Sequence, residues 1–458
     1  MILACHQRRP GSSPGPLQSS APRRGGIRWA GRAGRSLGAL LAVGVVLAGL
    51  AASFAANGLP SFSGPRAYSH VQELAGRIGP RPSGTPASDL ARAYIAARLR
   101  NAGYRVEEQP FPIQYYEVVR SELEVVSPVP AKVPGLALHH SGSGVAEGPL
   151  VDGGIGNEQA LHGVQGAGAI LLIRRGEIPF TQKVEQALRV GARGVVIYNH
   201  RPGAFQGSLR NAVAVPVLGI TQEEGERLLQ ALRQGPVQAR VAVEAKLETR
   251  TAYNVIGWPA AEAELLVTAH YDSVHLAPGA NDNASGTAVM VEVAAALAGT
   301  PLGQRVGFVA FGAEEIGLLG SRHYVQGLDP GSRQRLRAVI NVDTVGGLGG
   351  LIVLTARQVP DGTRRLADLA LQLIRAAGLQ GIREESTRAA SDHIPFMQAG
   401  VPAVTLARQG SEHIHTPDDR PERVTSPRLA DTGRIVLQLL EALQTSPALI
   451  PARTPALD

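Results

Sequence analysis

The stretch LLVTAHYDSVHLAPGANDNASGTAVMVEVAAAL, residues 265–297, determines how the rest of the chain is interpreted. Four of its first five residues are apolar, which predicts a buried strand with His270 and Asp272 at its C-terminal end. A polar loop containing Asp282 follows, and then an apolar helix that Ser285 is placed to cap. Zinc accepts imidazole and carboxylate ligands in proteins, so this stretch predicts the beginning of a metal site at a strand end.

Beyond residue 254 the chain alternates strand patterns with helix patterns, which is typical of an α/β fold. The predicted strands are 265–269, 305–311, 339–342, 351–354 and 403–406. The predicted helices are 287–298, 318–325, 364–377 and 428–443. We therefore expect a mixed, mainly parallel central sheet with helices on both faces.

The preceding part of the chain predicts further elements and a second module. A helix over 87–102 and strands over 106–116 and 121–126 come first. Between 149 and 246 a smaller α+β block contains two histidines and no carboxylates at ligand spacing, which favours a non-catalytic module. The predicted division is a basic tail (1–36), an apolar segment (37–56), a first catalytic part (57–148), the inserted module (149–246) and a second catalytic part (247–458).

Candidate metal ligands follow successive predicted strands. His270, Glu315, Asp343 and His415 each come after a different strand, and Asp282 supplies a fifth donor. In open α/β sheets, ligands gather beyond the carboxyl ends of the strands. One catalytic zinc takes about three protein ligands, so five donors with one bridging carboxylate suit two ions. We expect Asp282 to be the bridge, and without metal these packed carboxylates would repel one another.

Two carboxylates beside the predicted ligands have catalytic roles in this interpretation. Glu314 adjoins Glu315, so one of the pair can bind metal while its neighbour accepts a proton from water and passes it to the leaving amine. Asp272 is expected to hold the ring of His270 in place.

The net positive charge of the chain comes from its first 36 residues. The formal net charge is +7. Seven arginines and no acidic residue lie before residue 37, and they account for the whole excess. The remainder is formally neutral, which argues against nucleic acid as a partner.

Residues 37–56 form an uncharged apolar run whose helix would just span a hydrocarbon core of about 30 Å. Arginines before it predict a cytoplasmic tail and an exported remainder. Two interpretations stay open: a transmembrane signal anchor in the cell membrane, or a signal peptide cleaved near Ala55 or Ala56, which would leave a secreted or periplasmic protein. The only cysteine is Cys5, so the exported part can form no disulfide.

Several motifs, in this order, resemble the dizinc aminopeptidases related to glutamate carboxypeptidase. They are Gly79-Pro80-Arg81-Pro82-Ser83-Gly84, His270-x-Asp272, Gly279-Ala280-Asn281-Asp282-Asn283-Ala284-Ser285-Gly286, Ala313-Glu314-Glu315-x-Gly317-Leu318-x-Gly320-Ser321, Asn341-x-Asp343, Ser391-Asp392-His393-x-Pro395-Phe396 and His415-Thr416-Pro417-x-Asp419. The resemblance implies that residues 149–246 are a protease-associated (PA) domain inserted into a zinc-exopeptidase fold. It also implies a peptide substrate.

The resemblance assigns the ligands to two zinc ions. One ion would be held by His270, Asp282 and Asp343, and the other by Asp282, Glu315 and His415, with Glu314 as the general base. Some relatives have a tyrosine just before the last histidine, where this chain has Ile414. We therefore expect zinc or another donor to stabilise the tetrahedral intermediate.

The main hypothesis is a zinc-dependent aminopeptidase, and three others are kept beside it. A carboxypeptidase of the same family needs cations for the substrate carboxylate, and Arg383, Arg388 and Arg408 are available. A glutaminyl cyclase-like acyltransferase needs only one zinc, and an inactive receptor-like binding protein would lack ligands. The complete set of five ligands favours the peptidase. Ser391 beside Asp392 and His393 has no nucleophile elbow around it, which argues against a serine nucleophile.

Overall fold

The computed structural model describes residues 60–205, 207–209, 211–385 and 391–450. The predicted basic tail, the apolar segment 37–56 and Arg388 lie outside these residues. Within them, no helix is both long enough and apolar enough to cross a membrane.

The described residues contain fourteen strands. In chain order they are β1 (Arg105–Ser127), β2 (Ala131–Val133), β3 (Leu136–Ala137), β4 (Gly144–Asp152), β5 (Ile170–Arg174), β6 (Gly194–Tyr198), β7 (Val217–Ile220), β8 (Gln238–Trp258), β9 (Leu265–His270), β10 (Val306–Phe311), β11 (Ala338–Val342), β12 (Leu351–Thr355), β13 (Gly381–Glu385) and β14 (Ala403–Arg408).

Eleven α-helices accompany them in the same residues. They are α1 (Gly64–Val71), α2 (Pro86–Asn101), α3 (Glu158–Leu161), α4 (Phe180–Arg189), α5 (Gln222–Gln234), α6 (Gly286–Leu297), α7 (Leu319–Gly327), α8 (Pro330–Arg335), α9 (Asp361–Ala376), α10 (His393–Gln398) and α11 (Ser426–Thr445). There are also two π-helical segments: Gln72–Ile78 directly follows α1, and Ala280–Ser285 directly precedes α6.

The strands form one continuous sheet with two halves, which we name after the predicted modules. The catalytic half contains β8 to β14, and the PA half contains β3 to β8, so that β8 belongs to both. The order is β13-β12-β14-β11-β9-β10-β8-β4-β5-β6-β7-β3, and β1 pairs with β8 outside this path. Strands β14, β11, β9 and β10 are parallel neighbours, while β8 runs antiparallel to β10. In the PA half, β4, β5, β6 and β7 are parallel. The predicted fold, a mixed and mainly parallel sheet flanked by helices with an inserted smaller α+β module, is confirmed.

Burial explains why these strands have continuous apolar sequences. Every residue of β9 and of β10 is buried, as expected for parallel strands that are covered on both faces. Helices α7 and α10 pack Tyr324 and Phe396 against Phe311. In the PA half, α4 and α5 pack on two separate apolar clusters, through Val184 and Leu228 respectively.

The structure differs from the sequence predictions at two points that bear on the site. The two strands predicted over 106–116 and 121–126 are one strand, β1, because its pairing with β8 continues across a bulge between Val118 and Arg120. Ser285 does not cap α6 with its side chain. Its hydroxyl donates to the carbonyl of Asn281 at 2.7 Å, and Asn283 Oδ1 accepts the amide of Gly286 instead.

The predicted limits of the inserted module fall inside strands. Residue 149 lies in β4 and residue 246 lies in β8, whose N-terminal part pairs with β4 and whose C-terminal part pairs with β10. One strand therefore belongs to both halves of the sheet, and it fixes the PA half beside the catalytic half.

Candidate metal centre

Four adjacent parallel strands bring the predicted ligands to one edge of the sheet. His270 is the last residue of β9, and Asp343 directly follows β11. Glu315 and His415 lie in the loops after β10 and β14. Asp282 lies in the π-helical segment before α6. The structure therefore brings all five predicted ligands together.

Distances between the donor atoms suit ions that lie between them. His270 Nε2 lies 3.2 Å from Asp282 Oδ1 and 3.5 Å from Asp343 Oδ1. His415 Nε2 lies 3.0 Å from both Asp282 Oδ2 and Glu315 Oε2. Two atoms that bind one tetrahedral zinc at its usual bond length are roughly 3.3 Å apart, so these separations fit two shared cations.

Asp282 occupies the position that a bridge requires. One of its carboxylate oxygens faces His270 and the other faces His415. Two sets of ligand atoms each lie within 4.8 Å of one another: His270 with Glu314 and Asp343, and Asp282 with Glu315 and His415. Glu314 is thus close enough to the first set to act on a molecule held there.

Unpaired buried oxygens support the fit of cations to this site. Glu315 Oε1 and Asp343 Oδ1 have no hydrogen-bond partner in the described part of the chain. Burial raises the pKa of Glu314 well above its usual range, and nearby carboxylates raise it further. Burial also opposes ionisation of Asp282, but hydrogen bonds from His270 and His415 outweigh it and hold its pKa well below the usual range. Bound cations would stabilise the charged form of every carboxylate here.

Asp272 contacts more of the site than the sequence predicted. Its Oδ1 lies 3.5 Å from Nδ1 of His270, which agrees with the expected position beside that ring. The same oxygen accepts the backbone amide of Glu314 at 3.2 Å, and Oδ2 accepts that of Glu315 at 3.4 Å. Asp272 therefore fixes the backbone that carries the expected base and one expected ligand.

The sequence motifs included Asp419 and Arg81 without giving either a role. Asp419 is buried and accepts the backbone amides of Asn281 and Asp282 at 2.7 and 3.0 Å. Arg81 is fully buried and donates to the carbonyls of Tyr271, Pro278 and Gly279. These two side chains tie together the loop that runs from Asp272 to Asp282.

A further hydrogen-bond chain orients Asp343. Ser391 Oγ donates to Asp343 Oδ2 at 2.6 Å, and Asn341 Nδ2 donates to Ser391 Oγ at 2.8 Å. His393 lies instead 2.7 Å from the hydroxyl of Thr405. The Ser391 hydroxyl is thus engaged with a predicted metal ligand, which agrees with the rejection of a serine nucleophile.

Strained backbone is concentrated beside the predicted ligands. Ala313, Thr344 and His415 have positive φ angles of 57°, 52° and 60°. Such conformations are uncommon for residues other than glycine and persist where surrounding structure holds them. Gly286 is needed for packing, since a Cβ there would lie 2.1 Å from the carbonyl oxygen of Val342.

A cavity of about 230 Å³ opens beside the candidate ligands. Glu315 and His415 line it on the catalytic side, and His139 and Arg175 line it on the PA side. The Arg175 guanidinium lies 4.6 Å from the ring centre of Phe205, and Asn199 accepts a hydrogen bond from it.

Two of the three arginines that the carboxypeptidase hypothesis offers, Arg383 and Arg408, are engaged elsewhere. Arg383 is ion-paired with Asp368 at 3.2 Å, and Arg408 is buried and donates to the carbonyl of Gly349. The structure therefore does not bring either of them to the cavity, whose lining residues do not include them.

Comparisons with known proteins agree with this architecture. Residues 254–440 match the model of peptidase family M28, and residues 146–228 match that of the PA domain. The chain is 32% identical over 400 residues to the aminopeptidase YwaD of Bacillus subtilis, a match that covers 82% of this chain and 84% of that protein. It is 33% identical to an aminopeptidase of Pseudomonas aeruginosa over 58% of this chain and 54% of that protein.

Solved structures show the same relationship. A zinc aminopeptidase from Bacillus subtilis superposes with a TM-score of 0.72 at 30% identity, covering 86% of this chain and 97% of that one. An aminopeptidase from Aneurinibacillus sp. strain AM-1 gives 0.67 at 31% identity, covering 82% and 93%. The resemblance predicted from the motifs is confirmed, and the chain belongs to peptidase family M28 and carries a PA domain.

Proposed function

We propose that this chain is a zinc-dependent aminopeptidase in which His270, Asp282 and Asp343 hold one ion and Asp282, Glu315 and His415 hold the other. The observation that carries the ligand assignment is the placement of Asp282, whose two oxygens face two different histidines. Imidazole and carboxylate donor atoms lie within 4.8 Å of one another in two groups, His270 with Asp343 and Asp282 with Glu315 and His415, which fits the coordination chemistry of zinc.

The assignment of the activity rests on the similar proteins. The similar proteins are named aminopeptidases, and one of the matched structures is a zinc aminopeptidase. The predicted enzyme class, a metallo-aminopeptidase, and the predicted zinc cofactor are confirmed by these relatives together with family membership. A peptide is the corresponding substrate.

The residues of the chain have distinct tasks in peptide hydrolysis. When bound, zinc supplies Lewis acidity and lowers the pKa of water. Glu314 takes a proton from the attacking water and delivers it to the amine that leaves, which matches its position beside His270 and Asp343. Asp272 keeps Glu314 in place through its backbone amide.

The charge of the site favours the amino end of a peptide. Carboxylates dominate the immediate surroundings of the candidate ligands, and Asp272 and Glu315 line the cavity itself. Two bound zinc ions would offset the charge of their ligands, and Asp272 and Glu314, which are not among the proposed ligands, are then the carboxylates that would attract a free α-amino group and repel a terminal carboxylate. Arg175 is the cation that lines the cavity, and it comes from the PA side.

Two neighbouring substitutions test the roles of the glutamates. We expect Glu314→Gln to retain two zinc ions per chain while kcat for leucyl 4-nitroanilide falls by about 10²- to 10⁴-fold. Glu315→Gln is the matched variant and should lose zinc as well as activity. Metal content measured by mass spectrometry beside kinetics separates the two effects. Unchanged activity in Glu314→Gln would refute the base assignment.

A panel of blocked peptides tests which terminus is recognised. An aminopeptidase cleaves a C-terminally amidated tripeptide and spares the N-acetylated one, whereas a carboxypeptidase shows the reverse. Cyclisation of an N-terminal glutamine with one bound zinc would support the cyclase hypothesis. Folded protein that binds no zinc would support the receptor-like hypothesis.

We also propose the predicted domain limits and the export of the catalytic part. The module over 149–246 includes the whole range that matches the PA domain except its first three residues.

The uncharged run at 37–56, preceded by arginines, supports export, either as a single-pass protein of the cell membrane or as a cleaved, secreted or periplasmic one. Membrane fractionation with N-terminal sequencing of the mature protein distinguishes these forms.

A further inference from the structure

Arg175 brings a positive charge from the PA half to the cavity beside the metal centre. It directly follows β5, and its backbone amide donates to the carbonyl of Tyr198 at 2.8 Å. Its guanidinium carbon lies 4.6 Å from the ring centre of Phe205 and 5.7 Å from that of Phe180, which also lines the cavity. The two rings are stacked on each other with their centres 5.6 Å apart. The guanidinium is therefore held against a packed aromatic surface.

This guanidinium has no negatively charged partner in the part of the chain that the structure describes. Its one hydrogen bond to a side chain there runs from Nη1 to Oδ1 of Asn199, at 3.3 Å. Burial lowers the pKa of Arg175, and the charged group that lowers it further is Arg201, which has the same sign. A guanidinium has five N–H donors, so most of those of Arg175 stay available to a molecule in the cavity.

Other arginines of low exposure do have carboxylate partners. Arg337 lies 3.5 Å from Glu264, and Arg408 lies 3.5 Å from Asp431. A half-buried charge without a partner is costly, because burial removes the water that would stabilise it. The planar guanidinium matches a carboxylate, to which it can donate two parallel hydrogen bonds. A carboxylate on a molecule that enters the cavity would therefore be a favourable partner for Arg175.

The charges and the size of the cavity suit a short peptide. Asp272 and Glu315 line it on the catalytic side, and Arg175 lines it on the PA side. A sphere with the cavity volume of 230 Å³ is about 7.6 Å across, which corresponds to two or three extended residues at about 3.3 Å each. A peptide of this length has an ammonium group at one end and a carboxylate at the other, so its two charges complement those of the cavity.

We propose that Arg175 binds the C-terminal carboxylate of a dipeptide or tripeptide whose amino end lies at the metal centre. This proposal rests on the proposed aminopeptidase function and names its substrate class. The carboxylate belongs to the part of the substrate that leaves, so Arg175 determines selectivity and contacts no reacting atom. The enzyme is consequently selective for short peptides with a free carboxylate over the corresponding amides.

The test compares peptides that differ only at the carboxyl end. Leu-Ala, Leu-Ala-Ala and Leu-Ala₅ are each assayed as the free acid and as the C-terminal amide, with the zinc-loaded full chain. The readout is kcat/KM for the acid divided by kcat/KM for the amide, which does not depend on the fraction of active enzyme. We expect this acid/amide ratio to be tenfold or more for Leu-Ala or Leu-Ala-Ala and to be within twofold of one for Leu-Ala₅, whose carboxylate lies beyond the cavity.

Substitutions of two neighbouring arginines separate a specific contact from a general effect. Arg175→Met should lower the acid/amide ratio of the short peptide at least tenfold while kcat/KM for the amide stays within about threefold of the parent. Arg175→Lys keeps the charge without the planar fork and should give an intermediate ratio. Arg174→Met is the matched control, because Arg174 is exposed and does not line this cavity, so its ratio should stay within twofold of the parent.

An acidic side chain is the other source of a carboxylate on a peptide. Leu-Glu amide and Leu-Gln amide differ in that side-chain charge and have no terminal carboxylate. We expect their kcat/KM values to agree within twofold. If Leu-Glu amide is hydrolysed at least tenfold better and this preference is lost in Arg175→Met, the assignment to the terminal carboxylate is overturned.

The remaining outcomes separate this proposal from the function on which it rests. If the parent chain hydrolyses leucyl 4-nitroanilide but shows acid/amide ratios within twofold of one for both short peptides, the Arg175 proposal is overturned and the aminopeptidase function stands. The Arg175 proposal is likewise overturned if Arg175→Met keeps the parent ratio, or if it loses acid and amide hydrolysis equally, as a structural role predicts. If the zinc-loaded chain hydrolyses no substrate with a free amino end, both proposals are overturned.

Discussion

Asp419 provides a sharp test of how the metal site is held, because it contacts no predicted ligand atom. Its carboxylate accepts the amides of Asn281 at 2.7 Å and Asp282 at 3.0 Å, and so positions the residue expected to bridge both ions. In Asp419→Asn, one amide oxygen can accept only one of these donors, and the new NH₂ group faces the other. The substitution removes one hydrogen bond to a charged group, worth about 1.5–3 kcal/mol.

The loss should appear in zinc binding more than in the stability of the metal-free protein. Burial raises the pKa of Asp419 to about 7, so the metal-free protein near neutral pH already contains much of the protonated form that asparagine resembles. Bound cations favour the ionised form, which asparagine cannot adopt. We therefore expect the dissociation constant of zinc to rise about 10- to 100-fold, in line with the effect of other groups that orient metal ligands.

Competition with a chromophoric chelator measures the dissociation constants, and urea unfolding of the metal-free protein measures stability. Asp418→Asn is the matched control, since the neighbouring aspartate is 61% exposed and pairs only with Arg420 among the described residues. Its zinc affinity should stay within twofold of the parent. The reasoning fails if Asp419→Asn binds zinc as tightly as the parent, or if the whole effect lies in the stability of the metal-free protein.

Two further substitutions test buried polar groups. Arg81→Met removes the side-chain donor of five backbone carbonyls, and we expect the free energy of unfolding of the zinc-loaded protein to fall by about 3 kcal/mol in urea titrations, whereas the exposed Arg77→Met should change it little. Burial lowers the pKa of His70 to about 4, so the unfolded chain takes up this proton first as the pH falls below about 6.5 and stability is lost toward pH 4. Between pH 8 and pH 5 this loss is about 2 kcal/mol. His70→Asn should remove it, and equal pH dependence in parent and variant would contradict the assignment.

The catalytic half of the fold could be predicted because its strands are buried on both faces. Continuous apolar runs such as that of β9 indicate a parallel sheet directly, and the edge at which such strands end is where ligands gather. The five predicted ligands follow from that rule, and the structure places them within a few ångströms of one another. Their assignment to two particular ions stays a prediction that zinc titration of the variants must test.

Other features left no pattern in the sequence. The sequence predicts two strands where the structure has β1, because pairing with β8 keeps the strand continuous through the exposed Val118 and Val119 and across the bulge that follows Val118. The residue type of Ser285 predicts a helix cap, but its hydroxyl donates to the carbonyl of Asn281, four residues earlier, and accepts the amide of the distant Val345.

The contacts missed by sequence reasoning share one physical property, which is that a buried side chain binds backbone atoms. Arg81 donates to five carbonyls, Asp419 accepts two amides and Asp272 accepts two more. Backbone atoms are present at every residue, so nothing in the partner's sequence reveals such a contact. The chain has a single cysteine and can form no internal disulfide, so loops that carry like charges must be held against their repulsion in another way. Buried side chains that bind backbone atoms meet this need, because each would be left unpaired in any other loop arrangement. The ligand geometry is therefore set mainly by residues that contact no ligand atom, and zinc affinity should respond to their substitution before the fold does.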